Sequence, residues 1–195
     1  MQHIIALSRV AVIVRHWFEI DLDDAAMEHG VRIELRDLPV QPRRGSESAA
    51  QVITADQPLW RADLFDRHTD APGTFAVAHF HPQFLGTEPC PRVFEPELNA
   101  SPFDWLGHQF AAVGGTGDRD PWKLERADAE ELSGMSAAIV MLAKTLGPDQ
   151  CASAAQCYAL TRDAREAVQI MMATLRQPDR LDQEWTAPWR DAGAG

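Results

Sequence analysis

His79 and His81 stand two residues apart in the segment Ala78-His79-Phe80-His81-Pro82. On an extended strand, residues i and i+2 project to the same side, so the two imidazoles are presented together. Such a pair can supply two adjacent nitrogen ligands to a divalent transition metal such as Zn, Fe, Mn or Ni, with a nearby carboxylate as the third ligand. Glu88 follows after the break at Pro82. Asp63, Asp66 and His68 lie on or just beyond the preceding apolar segment, which would be the partner strand of a hairpin. Pairing brings one face of that strand alongside the histidines. The loop length leaves the register open, so Asp63 and Arg61 compete for the place opposite them. Bound metal would polarise a substrate or activate water. Arg61 or Arg67 would then hold an anionic substrate, with Trp60 as a ring platform. The alternatives are metal-free acid–base work by the imidazoles and purely structural histidines, with Trp60 and Phe80 in the core.

The elements that must position these groups are strands. Pro58 to Asp66 and Thr74 to Pro82 read as a hairpin around the Gly-containing segment Thr69 to Gly73. Upstream, Val10 to Leu22 is β-branched and then alternating, which predicts one long strand or two joined by a bend; a helix is the alternative for residues 3 to 14. Asp23 to Gly30 reads as a connection with one helical turn. In Val31 to Leu38, Val31, Ile33 and Leu35 alternate with Arg32, Glu34 and Arg36, the pattern of a strand solvated on one face, and Pro39 ends it. Gln51 to Thr54 reads as a further short strand. Consecutive strands with short connections and no interleaved helices imply an antiparallel sheet.

The second half changes period. Residues 82 to 100 are rich in proline and read as irregular. Ser101 then caps a helix with Pro102 at its first position, and Phe103, Leu106, Phe110 and Val113 share its buried face. On that helix His108 points to solvent. Gly114-Gly115-Thr116-Gly117 reads as a loop, since no Lys-Ser/Thr follows and no strand precedes. Leu132, Met135, Ile139, Leu142 and Leu146 form one helical stripe. Gly147-Pro148-Asp149 turns the chain into a second helix to about Gln177, and so short a link makes an antiparallel hairpin. The expected class is α+β, a single domain over 1–195. Its 1–100 portion is a curved antiparallel sheet or partial barrel, 101–177 is helical, and 178–195 is a tail carrying Trp185 and Trp189. The apolar stripe must be covered, which favours a homo-oligomer through the helical hairpin. A non-enzymatic ligand-binding or assembly protein with no metal is therefore the second functional reading.

Composition narrows the partners. Of 195 residues, 18 are Lys or Arg and 29 Asp or Glu, giving a net charge of -11. A surface of that sign repels phosphate backbones, so neither nucleic acid nor an anionic membrane is expected. The apolar start, MQHIIALSRVAVIV, has no basic leader and is interrupted by Arg9, which predicts a cytoplasmic protein. Cys90, Cys151 and Cys157 have no CxxC spacing, which argues against a disulfide framework or zinc ribbon.

Gly73-Thr-Phe-Ala-Val-Ala-His79-Phe-His81 resembles the first metal motif of the cupins, in which a glycine precedes His-x-His by five residues and a glutamate follows. The resemblance implies a β-barrel and a metal-dependent oxygenase, isomerase or hydrolase, with His79, His81 and Glu88 as ligands. It covers this hairpin alone: Glu88 comes after six intervening residues where the motif has three or four, and the second motif with its third histidine is absent. AQVITADQPLWRADLFDR followed by AHFHP is also similar to a bacterial domain family to which no function is attached.

Overall fold

Alternating β-branched residues near the N-terminus form a sheet. The computed structural model describes residues 2–20, 27–40, 55–67, 70–113 and 122–147. Strand β1 (Gln2–Ala6) turns through Ser8 and Arg9 into β2 (Val10–Ile20), which decides between strand and helix for this stretch. β2 pairs with β3 (Met27–Asp37), β3 with β4 (Pro58–Arg67) and β4 with β5 (His79–His81), all antiparallel, in the order β1-β2-β3-β4-β5. A short ribbon, β6 (Phe84–Leu85) with β7 (Glu88–Pro89), follows.

Four helices come next among the described residues: α1 (Pro96–Ala100), α2 (Pro102–Val113), α3 (Arg126–Gly134) and α4 (Ser136–Thr145). The protein is thus α+β. Val12, Val14, Ile33, Leu35, Ala62 and Leu64 on one sheet face are fully buried in one cluster with Leu106 and Phe110 of α2 and Leu132 and Ile139 of α3 and α4. Among the described residues, no helix is long and apolar enough to cross a membrane.

Several local expectations change. α1 occupies part of the stretch read as irregular. The stripe from Leu132 to Leu146 belongs to two helices that meet at Met135, beside a Ser133-Gly134 pair of the kind that kinks helices. Ser133 Oγ donates to the Ala111 carbonyl 3.0 Å away, and buried Asp128 accepts from Ser8 N, Ser8 Oγ and Arg9 N, tying α3 to α2 and to the β1–β2 turn. Gly30 is not the end of a connection but lies inside β3. A Cβ there would stand 2.1 Å from the Leu64 carbonyl oxygen, so only glycine lets β3 and β4 approach this closely. The expected strand at 51–54, the Gly114–Gly117 loop, the second helix to Gln177 with the dimer assigned to it, and the tail lie outside the described residues, as do His68, Cys151 and Cys157.

The second sheet face is not the solvated surface that alternation suggests. Arg32 and Glu34 are buried there, as are Asp63 and Phe65. Val93 bridges to Phe80 beyond β5, which brings Arg92 alongside that edge. Arg92 pairs with Glu19 at 3.0 Å and with Glu28 at 2.9 Å, two residues that face each other on β2 and β3. In a flat sheet, strand spacings of about 4.8 Å would hold these groups apart. The sheet therefore folds toward its polar face, and the Arg92 pairs close across it.

Candidate metal centre

The polar face gathers three potential ligands. Asp63 lies directly opposite His79 in the β4–β5 pairing, and Arg61 opposite His81. Asp63, His79 and His81 are all buried, and one ligand atom from each lies within 4.8 Å of the other two. His79 Nε2 is 3.4 Å and His81 Nε2 3.9 Å from Asp63 Oδ2.

Backbone carbonyls orient both rings. His79 Nδ1 donates to the Val77 carbonyl at 2.8 Å, and His81 Nδ1 to that of Cys90 at 2.6 Å. Each ring therefore turns Nε2 inward, the arrangement that carbonyl partners impose on metal-ligating histidines. Arg61 Nη2 lies 2.9 Å from His81 Nε2. A guanidinium only donates, so His81 Nε2 is the acceptor and its ring is neutral. Burial, together with the Arg61 charge, pushes the His81 pKa down and outweighs the opposing pull of the Cys90 carbonyl and Asp63. His79 Nε2 is different: it is buried and has no hydrogen-bond partner.

Asp63 is held as an anion. Burial alone would raise its pKa, but the His79 contact, Arg32 and Arg61 together hold it at about 2. Arg32 meets the carboxylate side-on, Nε to Oδ1 at 2.6 Å and Nη2 to Oδ2 at 3.1 Å, and its Nη2 also donates to Glu19. Arg61 Nε is 3.0 Å from Oδ2 but out of line for a hydrogen bond, so that contact is a charge pair. Rings wall the group: Phe65 stands edge-on to His79 at 6.1 Å, Phe94 lies 5.7 Å from His79, and Phe84 6.3 Å from His81. Arg32 also lies over Trp17 of β2, at 4.7 Å.

The remaining sequence candidates are elsewhere. Glu88 is exposed on β7, paired with Leu85, because the β6–β7 ribbon turns it outward; the carboxylate of the group comes from β4 instead. Trp60 points to the opposite face, as its neighbour Arg61 requires, and packs in the core against Trp105, Phe110 and Trp122. Arg67 is exposed at the end of β4, opposite Glu28, and not beside the histidines. Asp66 is a loop anchor: it accepts from Gly73 N at 2.6 Å, Thr74 Oγ1 at 3.0 Å and Phe75 N. Those bonds, with Ala78 N donating to the Phe75 carbonyl at 3.0 Å, fold residues 73 to 78 into turns and confine β5 to three residues. His108 is exposed on α2. Arg32 is the participant that sequence reasoning missed. Its alternation with Val31 and Ile33 gives the face, but nothing local signals that the face is covered.

Searches against protein-family models, curated proteins and solved structures found no match to this chain.

Proposed function

We propose that this chain is a small metal-dependent enzyme acting on a small molecule, with a divalent transition metal held by Asp63 Oδ2, His79 Nε2 and His81 Nε2. One observation carries the reading. His79 Nε2, buried and without a hydrogen-bond partner, converges on a carboxylate oxygen 3.4 Å away, and with the ring proton on Nδ1 two acceptors face each other there. Two acceptors at that distance repel, and a cation between them removes the repulsion. Ligands at about 2.1 Å from a tetrahedral or octahedral ion lie about 3.0–3.4 Å from one another, so the His79–Asp63 pair is already spaced for an ion and His81, 3.9 Å from Asp63, must move closer. Two imidazoles and one carboxylate suit Zn, Fe, Mn or Ni.

When bound, the metal would polarise a substrate oxygen or activate water. The chain's own residues do the rest. The Val77 and Cys90 carbonyls fix the ring tautomers, Arg32 orients Asp63, and the aromatic walls limit water. To free His81 Nε2, Arg61 must move off it. The test is metal analysis of protein purified without a polyhistidine tag, beside a His79→Ala/His81→Ala variant. Near-stoichiometric metal in the parent and none in the variant is expected; negligible metal in both would sink the idea.

The Arg61–His81 hydrogen bond favours a second reading, a non-enzymatic protein in which the group is metal-free. There the cation between His79 and Asp63 is a proton on Nε2, and Arg61 stays on His81. Added Zn2+ or Mn2+ then leaves the melting temperature unchanged, whereas a bound metal raises it by mass action.

A further inference from the structure

We infer that Arg61 anchors the carboxylate of an apolar carboxylic acid, the substrate class of this centre; the inference rests on the metal reading above. Arg61 Nη2 now donates to His81 Nε2 at 2.9 Å, the lone pair that metal binding takes. Once that lone pair is taken, the guanidinium loses its acceptor. Its side chain is only 13% exposed, and its Nε already lacks a hydrogen-bond partner, so water cannot replace the loss freely. A largely buried cationic donor left without an acceptor is costly.

Charge points the same way. Asp63, Glu19 and Glu28 contribute three negative charges, and Arg32, Arg61 and Arg92 three positive ones, so the connected group is balanced before metal arrives. A divalent ion adds two positive charges that no described residue of the group offsets. An anion placed between the metal and Arg61 offsets part of that charge and supplies the missing acceptor. The guanidinium fork matches a planar carboxylate through two parallel hydrogen bonds.

The surroundings select the rest of the molecule. Arg61 lies 5.8 Å from the Phe84 ring, which is also 6.3 Å from His81, and the exposed Phe94 ring lies 5.7 Å from His79. Aromatic rings therefore border Arg61 and both histidines, which suits a hydrocarbon body behind the carboxylate.

Co2+ is the probe of metal binding, read by its visible absorption during titration, with butyrate, sulfate or butyramide present or absent. Butyrate is expected to tighten Co2+ binding about tenfold, within the usual range of coupling between two ligands. Sulfate should do less and butyramide nothing. Arg61→Met should bind Co2+ at least as tightly as the parent without butyrate, since nothing competes for His81 Nε2, and should lose the butyrate effect. Arg61→Lys, which keeps the charge but not the fork, should retain part of it and decides the matter if Arg61→Met does not fold. If Co2+ does not bind the parent protein at all, the metal reading itself falls. If Co2+ binds and butyrate leaves its affinity unchanged, the carboxylate inference alone fails. It fails equally if sulfate matches butyrate, if butyramide acts like butyrate, or if Arg61→Met keeps the full coupling.

Discussion

The two faces of one sheet are built from the same strands and held by different physics. On the helix side, Val12, Val14, Ile33, Leu35, Ala62 and Leu64 meet α2, α3 and α4 through non-directional apolar burial. On the other side, Arg32, Glu34, Arg61, Asp63, His79 and His81 alternate with them and are nearly as deeply buried, or, for Arg61, largely so. Each charge there has a partner at a defined distance, Glu34 with Arg15 at 3.0 Å and Arg36 at 3.3 Å included. An apolar face tolerates exchange of one hydrocarbon for another of similar volume. A buried charged face does not, because removing one member strands the rest. Such a face contributes little net stability for its size, so its positions are fixed by something other than packing, and the converging acceptors at His79 and Asp63 fit that description.

One large truncation on each face separates the two kinds of cohesion most directly. Trp60→Ala removes the ring that Trp105, Phe110 and Trp122 surround and should cost about 3–5 kcal/mol in urea denaturation. Asp63→Leu should cost a similar about 3–5 kcal/mol although its volume is filled, because Arg32, 5% exposed, loses its main counter-charge. The sharper observation is the double variant Arg32→Met/Asp63→Leu, which should be more stable than Asp63→Leu alone. If the two changes add instead, the polar face is not a coupled network.

A smaller effect tests what holds the two faces in register. Gly30→Ala places a methyl 2.1 Å from the Leu64 carbonyl oxygen and must part β3 from β4, at a cost of about 1–3 kcal/mol. Amide exchange should quicken at Val31 and Phe65 before it does so in α2. Uniform quickening would mean that the close approach does not locally pin the sheet.

The smallest expected effect concerns His16 at the margin of the apolar face. Burial lowers its pKa from 6.5, only partly opposed by the Leu146 carbonyl 3.3 Å from Nδ1. The unfolded chain therefore takes up the proton at higher pH than the folded one. The stabilisation is complete above pH 6.5 and declines as pH falls below it. His16→Gln should flatten this slope between pH 7 and 5 in thermal melts; an unchanged slope would assign it to other groups.

Local alternation along the chain is enough to tell which residues share a side. Period-two alternation placed His79 with His81, set Trp60 against Arg61, and separated Val31, Ile33 and Leu35 from Arg32, Glu34 and Arg36. Helical spacing likewise gave α2 with its buried Leu106, Phe110 and Val113, because each pattern is a local property of the backbone. Tertiary structure decided what lies across from what. A one-residue slip between β4 and β5 would turn Asp63 away from the histidines, and the spacing of the two strands in sequence does not set that register. It is held by contacts distant in sequence or irregular in form: the Asp66 carboxylate that shortens β5, and the Phe80–Val93 bridge at its outer edge. The β6–β7 ribbon turns Glu88 outward, and the Phe80–Val93 bridge brings Arg92 to Glu19 and Glu28 across a face that alternation marks as solvated.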